Sequence, residues 1–162
     1  MSQYKNIIIV GTNNTSRSFM AEVVLHQLCM EAHLEDVEVV SRGLVVLFPE
    51  PIHPKAADVV REAGYAIRDF QASKLMPSDV ENADLILTIT MDEKEKVLKE
   101  FESELEDGNQ TVATLSEFAK EQVGIPDPYG KDREDYESCF ITIKRMVEKC
   151  FDDEILRKYH KS

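Results

Sequence analysis

The segment that most constrains this chain is Ile7-Ile8-Ile9-Val10-Gly11-Thr12-Asn13-Asn14-Thr15-Ser16-Arg17-Ser18. A β-branched apolar run of this kind reads as a strand buried on both faces, as in a parallel sheet covered by helices. It stops abruptly at a short polar loop, and Phe19 to Ala32 then carries helix-like spacing. A strand, a tight loop and a helix in that order bring backbone N–H groups to a helix N-terminus. There the dipole favours an anion, and the guanidinium of Arg17 can close the site. The competing reading is a plain turn, with Arg17 paired to a nearby carboxylate.

The rest of the chain continues the alternation. Strands are expected at 5–10, 37–41, 83–90 and 112–114, and helices at about 18–33, 54–63, 77–81, 92–101, 115–122 and 132–150. In the first helix, Met20, Val24 and Leu28, with Val23 or Glu31, are spaced to form the inward stripe. Pro54 suits a helix start and Gly64 a helix end. The acidic stretch from Glu93 to Glu106 reads as a solvated face and loop. Strands separated by helices imply an α/β fold: a single doubly wound domain over 1–162, with a four-stranded parallel sheet flanked by helices. Ligands of such sheets bind beyond the C-terminal strand ends, where the Gly11–Ser18 loop lies.

Bulk properties narrow the partners. The chain has 162 residues, 43% hydrophobic and 31% charged, enough for one substantial core. Its net charge of −12 argues against nucleic acid and anionic membrane surfaces. An anion site must therefore be a local positive spot on a negative body. No signal-peptide pattern or spanning run occurs, and the three cysteines, Cys29, Cys139 and Cys150, suit a reducing compartment. The expected location is cytoplasmic, with all three thiols as small buried hydrophobes. No metal-ligand spacing is present, so neither metal nor cofactor is expected. His26, His33, His53 and His160 are scattered and carry no assigned role.

The Ile7–Glu22 unit, together with Asp127-Pro128-Tyr129 late in the chain, resembles the low-molecular-weight protein tyrosine phosphatases. That family's signature is a cysteine, five residues, then Arg-Ser, followed by an Asp-Pro loop. Met20-Ala21-Glu22, Ser41-Arg42-Gly43, Leu85-Ile86-Leu87-Thr88 before Met91, and Thr114-Leu115-Ser116-Glu117-Phe118 are similar to the bacterial branch that includes protein-arginine phosphatases. The resemblance implies a phosphate or phosphorylated protein side chain as ligand, and a monomer or weak homo-oligomer. Gly11, Thr12, Asn13, Asn14, Thr15, Ser16, Arg17 and Ser18 would form the binding loop. Asp127 takes the place of the general acid. Phe48 and Tyr129 resemble the aromatic walls, or else cover core edges as ordinary loop aromatics. Thr12 stands where arginine phosphatases carry threonine.

The departures are equally informative. The resemblance puts Gly11 where the family has its nucleophilic cysteine, Asn13 in place of a glycine, Ser16 in place of a second cysteine, and Phe19 in place of a proline. Asn13 is a mild change, because asparagine tolerates positive φ. Gly11 is not. Family chemistry forms a phosphocysteine through a thiolate, and Asp127 would protonate the leaving group and then assist water. Without a side chain at 11 the first step has no nucleophile, and Ser16 is an unactivated hydroxyl expected to point away. The expectation is a pseudophosphatase that binds but does not turn over. The alternatives are an active phosphatase whose cysteine was deliberately substituted and a non-catalytic interaction module.

Overall fold

Residues 3–67 and 69–161 are described by the computed structural model; Met1, Ser2, Arg68 and Ser162 lie outside the described residues. The strands are β1 (Asn6–Gly11), β2 (Glu38–Gly43), β3 (Leu85–Thr88) and β4 (Thr111–Thr114). All pair in parallel, in the spatial order β2-β1-β3-β4. Helices α1 (Arg17–Glu31), α2 (Pro54–Glu62), α3 (Pro77–Asn82), α4 (Met91–Glu100), α5 (Leu115–Phe118) and α6 (Arg133–Cys150) connect and follow them. A π-helical stretch, Phe151–Leu156, continues α6 into α7 (Arg157–Lys161). This is the expected α/β domain.

The period-two geometry of β1 explains its unbroken apolar run. Ile7 and Ile9 face a core shared with Met20, Val24 and Leu25 of α1 and with Ile143, Met146 and Val147 of α6. Ile8 and Val10 face the other layer, against Val80, Val97 and Phe101. Each buried aliphatic side chain contributes about 1.5–3 kcal/mol of burial free energy. With both faces covered, β1 is fixed in register and delivers the loop after Gly11 to the C-terminal edge of the sheet.

Several boundaries differ from expectation for local reasons. Gly11 is the last residue of β1, paired in register with Gly43, rather than the first of the loop. Strand β3 is shorter than 83–90, because Thr90 leaves the sheet to cap α4, its hydroxyl accepting from Glu93 N–H. Helix α5 stops at Phe118, where Lys120 adopts φ of 59°. In α1 the inward face is Met20, Ala21, Val24, Leu25 and Cys29; Glu31 is exposed. No helix among the described residues is long and apolar enough to cross a membrane.

Candidate functional site

The loop from Gly11 to Ser18 is shaped by its neighbours before any ligand is considered. Leu44 and Val45 N–H donate to the Gly11 and Thr12 carbonyls at 3.1 and 2.8 Å, lacing the end of β2 to the start of the loop. Gly43 permits this approach: a Cβ there would fall 2.9 Å from the Thr12 carbonyl oxygen and 2.7 Å from Val46. The left-handed residue is Asn14, with φ of 60°, and not Asn13 as expected. Asn14 is buried, and its amide donates to Ser18 Oγ (2.9 Å) and Ser41 Oγ (3.0 Å) while its Oδ1 accepts from Ser73 N–H (3.1 Å). Ser41 in turn donates to Glu22 at 2.7 Å; burial pushes the Glu22 carboxyl up, and this bond opposes the rise. Among the described residues, no backbone N–H from Thr12 to Arg17 donates to a protein acceptor.

Gly11 to Ser18, Ile89, Asp127 and Tyr129 together enclose a cleft of about 150 Å³. Arg17 opens α1 at its rim, with a side chain only 14% exposed. Its Nη1 donates to the Ile125 carbonyl at 2.6 Å and its Nη2 stands 3.9 Å from Asp127 Oδ2. The guanidinium is thus held at the cleft by a backbone oxygen, with Asp127 as a long, largely exposed partner. Asp127 Oδ1 accepts from Tyr129 N–H at 3.1 Å, an Asx turn that fixes the Pro126–Pro128 loop. Tyr129 is 72% exposed at the cleft mouth. Phe48 lines a neighbouring groove that shares Thr12 and Asn13 with the cleft.

Gly11 is packed rather than open. A Cβ at this position would sit 2.9 Å from Ser18 Oγ and 3.1 Å from Ser18 Cβ. The hydroxymethyl group of Ser18 therefore crowds the path of any side chain leaving residue 11.

Some residues near the site depart from expectation or had no role assigned. Glu93, read as part of a solvated face, is 2% exposed. Its carboxylate accepts from the Thr12 hydroxyl (2.8 Å) and from the Ile89 and Thr90 N–H groups. His53 caps α2 by accepting from Lys55 N–H at Nδ1, donates its backbone N–H to the Thr15 carbonyl at 3.0 Å, and stacks its ring on Tyr136. Ser16 lies beside the buried Tyr136 phenol, which has no hydrogen-bond partner of good geometry among the described residues.

Cys139 lies beside the Asp127 loop, its thiol 3.8 Å from the Pro126 carbonyl. Burial pushes it up to about 11, as it does Cys29, and Cys150 rises to about 12, so none is a thiolate near neutrality. All three should alkylate with iodoacetamide at pH 8 at least about a hundredfold more slowly in the native chain than in urea. Rapid native labelling of Cys139 would contradict this burial.

A parallel α/β domain with a cleft of this composition at the C-terminal edge of β1 defines a class, and comparison with known proteins agrees. The family model "Low molecular weight phosphotyrosine protein phosphatase" matches residues 6–161, and the chain belongs to that family. It is 35% identical over 144 residues to the probable low molecular weight protein-tyrosine-phosphatase EpsP of Ralstonia nicotianae, covering 89% of this chain and 92% of that one. Among solved structures, a YwlE arginine phosphatase mutant with a phosphorylated active-site serine superposes with a TM-score of 0.81 at 25% identity, over 91% of this chain and 96% of the other. A YwlE mutant from Bacillus subtilis gives 0.81 at 27% identity, over 96% and 98%.

Proposed function

We propose that this chain binds a phosphate group, free or on a protein side chain, and hydrolyses it very slowly or not at all. On this reading it is a cytoplasmic pseudophosphatase in which Gly11 occupies the nucleophile's place. The observation that carries the reading is the cleft around Gly11 to Ser18: Arg17 is held there by the Ile125 carbonyl, Asp127 lies beside it at 3.9 Å, and residue 11 offers no side chain. Binding needs donors rather than a thiol. Loop amides left without protein acceptors, the α1 N-terminus and one guanidinium supply them. Absence of a thiolate also removes a negative charge from beside the anion. Thr12, whose hydroxyl donates to Glu93, stands where arginine phosphatases carry threonine and slightly favours a phosphoarginine-like ligand over phosphotyrosine.

Titration of the full chain with inorganic phosphate or vanadate tests this. Saturable binding is expected, and Arg17→Ala should weaken it by about ten- to a hundredfold, the loss of charge-assisted hydrogen bonds. No binding at high anion concentration would favour the interaction module instead. Aryl phosphate turnover by the unaltered chain at ordinary phosphatase rates would overturn the inactive reading.

A further inference from the structure

Among the described residues, Ser18 is the one whose side-chain hydroxyl both lines the cleft and presses on the space beside Gly11. Its Oγ accepts from Asn14 Nδ2 at 2.9 Å, so that bond uses a lone pair and not the hydroxyl proton. Among the described residues, no acceptor takes that proton. The residue is 2% exposed, so bulk water is a poor substitute, and its small remaining surface borders the cleft. A Cβ on Gly11 would fall 2.9 Å from the same oxygen. Glycine at 11 therefore puts no side chain of its own beside the Ser18 hydroxyl where the two residues line the cleft.

We infer that Ser18 is an oxyanion ligand of this cleft, donating its hydroxyl proton to an oxygen of the bound phosphate group from the space a side chain at 11 would fill. The inference rests on the phosphate-binding reading above and deepens it. Arg17 reaches the anion from the rim and Ser18 from the floor, while Asn14 orients the hydroxyl by occupying its lone pair. A donor polarised by an amide and shielded from water makes a strong bond to an anion. The group so held is tetrahedral and anionic, a phosphate monoester or inorganic phosphate.

Calorimetric titration with inorganic phosphate on the full chain separates the possibilities. Ser18→Ala should weaken phosphate by about ten- to a hundredfold. Ser41→Ala removes the other acceptor of the same Asn14 amide and keeps the Ser18 donor, so it should weaken phosphate less than about threefold. Equal losses in the two variants would mean that the effect is loop integrity, and would overturn the assignment. So would phosphate binding unchanged in Ser18→Ala. If the unaltered chain itself binds no phosphate, the phosphate-binding reading fails first and this one with it. A second measurement needs no variant: in crystals grown with phosphate, Ser18 Oγ should lie within about 3 Å of a phosphate oxygen. Separation beyond about 3.5 Å sinks the assignment.

Discussion

Replacing Gly11 with cysteine is expected to raise aryl phosphate turnover at least about 10³-fold above that of the unaltered chain. Removing a nucleophile from an otherwise complete site costs on the order of 10⁴–10⁶ in rate, and on the proposed reading a thiol supplied at 11 should recover a large share of that. Arg17 and Asp127 already border the cleft, and the α1 N-terminus would favour the thiolate. The recovery is incomplete because the new Cβ would fall 2.9 Å from Ser18 Oγ. Ser18 must turn, weakening its bond from Asn14, at a cost of about 1 kcal/mol or a few degrees in Tm. Gly11→Ala is the matched control: it imposes the same crowding and should show no gain in rate. In the cysteine background, Asp127→Ala should lower the rate by about 10²-fold or more, the usual scale of general acid catalysis. Comparable turnover by the unaltered chain and the cysteine variant would remove Gly11 from the nucleophile's place.

The parts of the fold that the sequence revealed share a physical cause. The run Ile7–Val10 is continuous because both faces of β1 are buried, so hydrophobicity alone marks it as a central strand. Pro54 and Gly64 bracket α2 because their backbone preferences are local; Gly64 has φ of 93°. Where local preference is degenerate, the sequence was silent or misleading. Asn13 and Asn14 are equally able to adopt positive φ, and only the tertiary partners Ser18, Ser41 and Ser73 select Asn14. The apolar and β-branched stretch 83–90 does not distinguish strand from cap.

The burial of Glu93 has a signal in its own sequence spacing. Thr90-Met91-Asp92-Glu93 is a capping box, which places Glu93 at the third helical position, reaching back to the Thr90 N–H. The box does not foretell that the other carboxylate oxygen reaches Thr12, since that depends on where β3 delivers α4. His53 is similar: a residue before a proline at a helix start is a capping position, but its stacking on Tyr136 comes from the packing of α6 against α2. Long-range contacts of this kind hold the candidate site together, which is why its residues were legible one by one and their arrangement was not.

Asn14→Ala should be the most damaging single change in the loop, destabilising the chain by about 3–4 kcal/mol and abolishing phosphate binding. Two contributions add. Alanine at φ of 60° carries a backbone penalty of about 1 kcal/mol that asparagine largely escapes. The remainder comes from the buried bonds: Ser73 N–H loses its acceptor, and Ser18 and Ser41 lose their shared donor. Asn14→Gly separates the two, since glycine keeps the left-handed backbone without strain and still deletes every side-chain bond. It should unfold at lower urea than the unaltered chain, yet remain about 1 kcal/mol more stable than Asn14→Ala. Both variants should fail to bind phosphate, because Ser18 is no longer oriented and the loop is no longer tied to the segment at Ser73. If Asn14→Ala lies within about 1 kcal/mol of the unaltered chain, the loop is held by the β2 lacing at Leu44 and Val45 instead. If Asn14→Gly retains full phosphate affinity, the cleft is set by backbone conformation alone and the serine network is incidental to it.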